Sequence, residues 1–334
     1  MSLGIDEPAA ADSEPERPTV IGGSTRFVPG QSNERVTVVN GKVQLRQRLK
    51  DLWTNRDLLL LLTRTELKVK YKNSVLGYLW SMLNPALVLM IYYVVFKVIA
   101  KNPQPNFAIW LFAGLLVWNL FNGSAQAATS VVVGKAGIVK KVAFPRELLA
   151  LSVVGVAMVM FAIQVVVLVL ALLLTGVVPA WSYAALLPLA LVTLIVFTGA
   201  VSIFLSAVNV YLRDTQHLSE VLLMAWFWGT PIVYTFGQVS GIIAKHSGLA
   251  WLKVLYLANP ITPIVMTFQR AIYGKTSYIA TANNPSHAVT NVLPDWGVGQ
   301  YAELLGVVLA VSTVLFLLAL IVFGRLEGNF AEEL

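Results

Sequence analysis

The sequence predicts an all-α, polytopic membrane protein, and three observations support this fold class. Hydrophobic residues make up 57% of the chain and charged residues only 12%, with a mean hydropathy of +0.72, whereas soluble domains carry about a quarter charged residues. Long apolar tracts recur, and an α-helix needs about 20 residues to cross a bilayer. The tracts are continuous Leu, Val and Ala runs without the alternation of barrel strands. The six predicted spans are 78–96, 107–134, 148–176, 182–212, 221–236 and 304–324.

Residues 1–45 are predicted to form a mobile cytoplasmic tail, because they are rich in Pro, Glu and Ser and lack the apolar stretch of a cleaved signal peptide. Of the 24 Lys and Arg residues, eighteen flank the predicted inner ends of the spans. Cytoplasmic flanks collect positive charge, so both termini are predicted to be cytoplasmic and the protein to lie in the cytoplasmic (inner) membrane. The net charge of +7 reflects this topology and does not indicate nucleic acid.

Residues 46–74 are predicted to form an amphipathic helix on the inner membrane surface, in contact with membrane lipids. Arg64, Lys68 and Lys72 recur at i, i+4 and i+8, while Trp53 and Leu58 lie on an apolar side. The basic stripe has two interpretations. It is either part of the general positive-inside pattern, which is favoured, or a contact for a phosphate-bearing lipid substrate.

The six-span domain covers 75–334, and its outer segment 237–303 contains two half-length apolar pieces. "GLAWLKVLYLANP" and "ITPIVMTFQRAIYG" each have about a dozen residues, roughly half of what a span needs. Pro260 and Pro263 interrupt them. We expect a re-entrant pair at about 248–274 that gates the outer end, with Phe268 and Arg270 also in the gate. An amphipathic pair on the outer leaflet is the equally weighted alternative.

The sequence contains no group of residues that is typical of an enzyme's active site. There is no cysteine, and 148–212 contains no Asp, Glu, His, Lys or Arg, whereas proton-driven carriers need ionisable groups within their spans. "YGKTS" at 273–277 matches the end of a phosphate loop, but Gln269 stands where the first glycine belongs. We therefore predict no catalytic residue, metal site or cofactor in this chain, and an energy source on a partner.

The short polar stretch between the second and third spans, "GKAGIVKKVAFP" at 134–145, is predicted to be a cytoplasmic docking loop. It predicts a short helix that ends at Ala143, because the residue before a proline avoids α geometry. Apolar and charged side chains alternate as in an interface with an anchor and a polar rim. The predicted docking residues are Val139, Lys140, Lys141, Val142, Phe144, Pro145, Arg146 and Glu147.

This stretch resembles the coupling loop of permease subunits in the polysaccharide-exporting family of ABC transporters, which carry O-antigen, teichoic acid or galactan intermediates. Further segments are similar to that family in the same order along the chain, and together they cover about residues 50–334. These segments are "YKNSVLGYLWSMLNP" at 71–85, "VNVYLRDTQHL" at 208–218, "GTPIVYT" at 229–235, "NPITPIVMTFQRAIYG" at 259–274 and "GRLEGNFAEEL" at the end.

The resemblance implies a second copy of the chain and two ATP-binding cassette ATPase subunits, which hold ATP and Mg. The coupling loop would dock on the ATPase, whose closure opens a path for a lipid-linked glycan. Arg213 and Asp214 are implied to form a second ATPase contact, with a helix-end ion pair as the equal alternative. The Ala/Val-rich spans and the long polar tail favour an actinobacterial galactan exporter.

Two other functions are weighed against this one. An ion-gradient-driven lipid or glycolipid flippase is disfavoured by the uncharged spans. A non-transporting membrane scaffold is disfavoured by the docking loop and the half-span pair.

A glycan path would suit aromatic faces, which pack against the C–H faces of sugar rings. Trp and Tyr also gather at membrane interfaces, and for any single residue that interpretation is favoured. Thr198, Ser202 and Ser206 form a small-residue face that favours helix packing over a sugar site. The candidate path residues are Tyr92, Phe96, Trp110, Trp118, Trp228 and Tyr234.

Overall fold

The computed structural model describes residues 45–72, 74, 79–245, 250–279 and 289–334. All of them belong to one compact unit, Gly41–Leu334. The predicted tail, apart from Leu45, lies outside the described residues. The described part is mainly α-helical, which confirms the predicted class of an all-α polytopic membrane protein. A small antiparallel ribbon of β1 (Ser277–Ile279) and β2 (Val289–Asn291), which pairs Tyr278 with Thr290, was not predicted.

The described helices pack into one bundle. In chain order they are α1 (Leu45–Thr54), α2 (Arg56–Tyr71), α3 (Trp80–Tyr93) with a π-helical continuation (Val94–Ile99), α4 (Phe107–Gly134), α5 (Ala136–Val139), α6 (Glu147–Thr175), α7 (Trp181–Ala184), α8 (Leu187–Tyr211), α9 (Thr215–Trp228), α10 (Phe236–Lys245), α11 (Ala250–Ala258), α12 (Ile261–Tyr273), α13 (Val298–Leu326) and α14 (Phe330–Glu333).

Within the described residues, four helical stretches are long and apolar enough to cross a bilayer: those of α4, α6, α7–α8 and α13. The first predicted span corresponds to the shorter apolar helix Leu83–Ile99. The fifth, predicted at 221–236, is corrected, because α9 ends at Trp228 and residues 229–235 leave the helix. Pro231 explains the break, since proline has no N–H for the helical ladder and disfavours α geometry in the residue before it.

Helix α4 lies at the centre of the bundle and is buried along most of its length. The Phe121 ring stacks on Phe197 of α8 at 5.5 Å between centroids and meets Trp226 of α9 edge-on at 5.2 Å. Such aromatic pairs contribute about 0.5–1.5 kcal/mol each beyond the area they bury. The aromatic residues of α4 therefore hold α8 and α9 in place around it.

The half-length pieces α11 and α12 form a hairpin whose second helix enters the bundle. Its tip is held by Asn259, whose Oδ1 accepts bonds from Trp226 Nε1 at 2.9 Å and from the backbone N–H of Ile261 at 3.1 Å. The other end of α12 reaches the loop between α6 and α7, where Ala180 N–H donates to the Ala271 carbonyl at 2.9 Å. All of α12 except Arg270 is buried. The hairpin therefore packs into the bundle through α12, and its predicted re-entrant placement in the membrane stays a prediction.

The amphipathic segment consists of two helices, α1 and α2, where one was predicted. Thr63 of α2 contacts the Ser152 carbonyl of α6, and Tyr71 contacts Met160. Thr63 and Tyr71 are separated along α2 by the same number of residues as Ser152 and Met160 along α6, so the two helices run side by side in the same direction. Gly155 permits this approach, since a Cβ there would lie 2.6 Å from the Thr63 hydroxyl oxygen. The placement of this segment on the inner membrane surface stays a prediction.

Candidate docking face and translocation path

The predicted docking loop forms a single helical turn, α5, which ends at Val139 and not at Ala143 as predicted. The chain continues in hydrogen-bonded turns, with the N–H groups of Lys141 and Val142 both donating to the Ile138 carbonyl. Lys135, at the start of the loop, forms an ion pair with Glu66 of α2. Burial lowers the pKa of Lys135. The loop is thus fixed to α2 at its start.

The outward side of the loop carries two exposed apolar side chains beside two exposed lysines. Ile138 is 47% and Val142 53% exposed, and they are neighbours at i and i+4. Lys140 and Lys141 are also exposed. We call these four residues the docking face. Sequence reasoning missed Ile138, although its spacing from Val142 was a readable signal.

Three of the predicted docking residues point inward, which corrects their predicted placement. Val139 is buried in a cluster with Val210, and Phe144 packs against the same cluster. Glu147 begins α6 and is only 2% exposed. Local spacing could not show this, because the burying surfaces come from distant parts of the chain. Pro145 is half-buried at the turn into α6.

Glu147 belongs to an ion-pair cluster that joins three distant parts of the chain. Arg48 of α1 pairs with both Glu147 and Glu327, and the Glu327 contact is 3.0 Å. Arg146 lies 3.6 Å from the Glu327 carboxylate and donates to the Glu327 carbonyl at 2.9 Å. Burial lowers the pKa of Arg48, but the carboxylates of Glu147 and Glu327 raise it by more. The cluster therefore ties α1, the docking loop and the end of α13 together.

Replacing Arg48 by alanine is expected to destabilise the protein by about 3–5 kcal/mol, since Glu147 would keep a buried charge without its partner. The measurement is thermal unfolding of the purified protein in detergent. The Arg48→Ala/Glu147→Gln double variant should recover much of the loss. Equal melting temperatures for Arg48→Ala and wild type would show that the cluster does not hold this end of the bundle.

The turn between α8 and α9 lies at the same end of the bundle as the docking face, because Val210 and Val139 share one cluster. Arg213 and Asp214 are both exposed there. Among the described residues they form no ion pair with each other, so the helix-end pair alternative is not seen. Their contact with an ATPase stays a prediction.

Two of the predicted path residues are closed off within the protomer. Trp110 is 0% exposed, and Trp118 is buried edge-on against Phe227 with 5.4 Å between centroids. Neither ring has an open face in this structure. Both contribute to the core around α4, and a substrate could reach them only if the bundle rearranged.

The other four aromatic residues lie nearer to open surfaces. Tyr92 and Phe96 are partly buried, and Tyr92 stacks on Phe227 at 6.2 Å. Trp228 is 54% exposed at the end of α9, and Tyr234 donates its hydroxyl to the Trp228 carbonyl at 2.7 Å. The structure does not bring all six rings onto one wall, and the path role of these four stays a prediction.

The predicted gate residues lie along α12. Pro260 precedes the helix, Pro263 is buried in its first turn, and Phe268 is buried against α6. The Arg270 guanidinium lies over the Tyr183 ring at 4.3 Å and donates to the Gly274 carbonyl. A cation held by a ring and a carbonyl anchors the C-terminal end of α12. The structure gives the helix a fixed position, and its gating motion stays a prediction.

The small-residue face of α8 is a packing surface. Thr198, Ser202 and Ser206 are each fully buried, and a Cβ on the neighbouring Gly199 would lie 3.1 Å from the Phe316 ring of α13.

Within the described residues, no group of three or more His, Cys, Asp or Glu side chains could hold a metal ion. The four long apolar helices define the class of protein as a multi-pass membrane protein.

Comparison with known proteins gives the family. Residues 57–273 match the model of the ABC-2 type transporter family. The chain is 30% identical over 286 residues to the O-antigen export system permease protein RfbA of Myxococcus xanthus, covering 86% of this chain and 98% of that protein. It is 35% identical over 213 residues to a protein of the same name from Klebsiella pneumoniae, covering 64% of this chain and 79% of that protein. A second O-antigen export system permease protein RfbA from Klebsiella pneumoniae is 30% identical over 278 residues, covering 83% of this chain and 95% of that protein.

The chain belongs to the ABC-2 type transporter family. The three relatives are named as permease proteins of O-antigen export systems, and the ABC-2 family implies partnership with an ATPase subunit. This confirms the family that the ordered motifs indicated.

Proposed function

We propose that this chain is the permease subunit of an ATP-driven exporter that moves a lipid-linked polysaccharide, of O-antigen, teichoic acid or galactan type, across the cytoplasmic membrane. Two copies would work with two ATPase subunits, which hold ATP and Mg. The observation that carries this proposal is the docking face, where Ile138 and Val142 lie exposed beside Lys140 and Lys141. Exposed apolar anchors with a charged rim are typical of a protein interface.

Two of the long helices, α6 and α8, offer no ionisable group that could couple transport to an ion gradient. The only charged residue in helices α6 and α8 is Glu147, which forms an ion pair with Arg48. Coupled ion transport needs ionisable groups within the membrane. Movement therefore depends on the ATPase that docks at the inner end, and α12 is the element that opens the outer end.

ATP dependence can be tested in inverted membrane vesicles that contain this chain and its ATPase. A lipid-linked glycan added to the outer face of these vesicles should become protected from periodate oxidation only when ATP is supplied. Vesicles that carry an ion gradient but no ATP should show no protection. Protection driven by the gradient alone would contradict the proposal.

The proposed topology predicts opposite labelling of two exposed positions. A cysteine replacing Lys275, beyond the end of α12, should react with a membrane-impermeant maleimide in intact cells. A cysteine replacing Gly137 in the docking loop should react only after permeabilisation. The cysteine-free chain makes each label unique. Labelling of Gly137→Cys in intact cells would reverse the orientation and remove the proposed ATPase contact.

A further inference from the structure

A cavity of about 740 Å³ lies between α2, α3, α4 and α6. Its size falls within the range of about 300–1,000 Å³ that is usual for small-molecule sites. Four carboxamides from three helices line it. They are Asn84 of α3, Asn119 and Asn122 of α4, and Gln164 of α6.

Asn119, Asn122 and Gln164 lie in the middle parts of α4 and α6, which are long and apolar enough to cross a membrane. Asn84 lies near the start of the shorter helix α3. Asn119 Nδ2 donates to Gln164 Oε1 at 3.2 Å. This bond uses one donor and one acceptor, and each amide has further capacity. Polar groups at this depth are costly unless they meet partners or water. The cavity is therefore suited to water or to a ligand with many hydroxyl groups.

The walls of the cavity add flat apolar surface to these amides. Trp80 of α3 and Phe161 of α6 lie among aliphatic side chains in the lining. Sugar rings combine apolar C–H faces with hydroxyl groups at their edge, and this lining offers a partner for each. The two charged residues in the lining, Glu66 and Lys70, both come from α2, and Glu66 is already paired with Lys135. The chemistry favours a neutral ligand over a phosphate.

The polar surface continues from the cavity toward the inner end of α4. Gln126 and Ser130 are exposed on this helix, one to two turns beyond Asn122. Gln126 Nε2 donates to Asn122 Oδ1 at 3.2 Å, and lipid tails could not satisfy the remaining hydrogen-bonding capacity of these groups. This side of α4 is therefore better suited to water or a hydroxyl-rich ligand than to lipid.

We infer that this cavity binds one or two neutral sugar rings of the transported glycan, which rests on the proposed function. Asn119 and Gln164 would hold ring hydroxyls, while Trp80 and Phe161 cover the C–H faces. None of these four residues belongs to the aromatic set that the sequence suggested for the path.

A cysteine at Gly123 provides the test, because Gly123 lines the cavity and a Cβ there would meet no atom within 4 Å. The full-length Gly123→Cys protein in nanodiscs is treated with a water-soluble maleimide, alone and with hexyl maltoside. We expect the sugar amphiphile to slow labelling fivefold or more. Hexyl triethylene glycol ether, which has a similar tail but no sugar, should leave the rate within twofold. Gly137→Cys is the matched control, since a Cβ there also has open space, and its labelling should not change.

The carboxamide pair supplies the second arm. In an Asn119→Leu/Gln164→Met background, labelling of Gly123→Cys should continue while protection by hexyl maltoside is lost. Replacing both partners by apolar groups of similar shape leaves no unpaired amide, so the fold should persist. Equal protection by both amphiphiles, protection that survives in the double variant, or a Gly123→Cys that never reacts would each overturn the inference.

The vesicle assay separates this inference from the proposed function. If wild type exports glycan with ATP and the Asn119→Leu/Gln164→Met variant does so at the same rate, the sugar site is wrong and the exporter stands. If hexyl maltoside protects Gly123→Cys through the amides but no ATP-dependent export occurs, the exporter proposal fails and the sugar site stands.

Discussion

Replacing Ile138 and Val142 by aspartate is expected to weaken binding of the ATPase subunit by roughly a hundredfold or more, about 2.7 kcal/mol. The two side chains are the exposed apolar part of the docking face. A central anchor commonly accounts for 2 kcal/mol or more of an interface, and a buried unpaired carboxylate adds a desolvation cost. The measurement is recovery of the ATPase with the tagged permease, followed by ATP-dependent export in vesicles.

Two comparison variants separate docking from folding. Lys140→Ala/Lys141→Ala removes only the rim of the docking face, and the loss of ATPase should be smaller and more sensitive to salt. Phe144→Ala should lower the melting temperature while ATPase recovery stays near the wild-type level, because Phe144 packs against a cluster within its own protomer. Undiminished ATPase recovery with Ile138→Asp/Val142→Asp would remove the docking assignment.

Features that are local in sequence were predictable. The apolar tracts gave the fold class and located the helices, since a membrane span is a property of about 20 consecutive residues. The interruption at Pro260 and Pro263 indicated two half-length helices. The docking loop was located by its charge between two apolar tracts. Each of these signals lies within one short window.

Features that depend on distant contacts were not predictable. Glu147 looks like the rim of a docking surface in sequence, but Arg48 and Glu327 close over it from the two ends of the chain. Trp110 could equally have lined a path or filled a core, and only the packing around α4 shows that it is buried. The cavity amides come from three helices, and no sequence window contains them all.

The early end of α9 has a different cause. Its hydropathy continues through residue 236, so the tract resembled a full span. The backbone constraint at Pro231 is stronger than that apolar preference. The polar groups freed by the break find partners in the protein, where Asn259 Nδ2 lies 3.1 Å from the Thr230 hydroxyl and Gln269 Nε2 donates to the Pro231 carbonyl at 3.1 Å. Non-helical backbone at this depth is tolerated because it is enclosed by α4 and α12.

A disulfide between Ala180→Cys and Gly274→Cys is expected to stop export reversibly while ATP binding by the ATPase continues. A Cβ on Gly274 would lie 3.8 Å from the Ala180 Cβ, which matches the usual Cβ separation of about 3.8 Å in disulfides. The bridge would fix the outer end of α12 to the loop before α7. If α12 must move to open the outer end, export should fall below about a tenth of the reduced rate and return with reductant.

The controls address the backbone at Gly274, whose φ of 76° disfavours other residues by about 1–2 kcal/mol. Gly274→Ala measures that strain alone, and each single cysteine variant should export at the same rate with and without oxidant. The cysteine-free background excludes other bridges within the chain. Full export with the bridge shown to be closed would mean that α12 is a static part of the bundle. Another element would then have to move to open the path. The best candidate is the end of α9, which contacts the α11–α12 hairpin through Trp226 and Asn259 and carries the exposed Trp228.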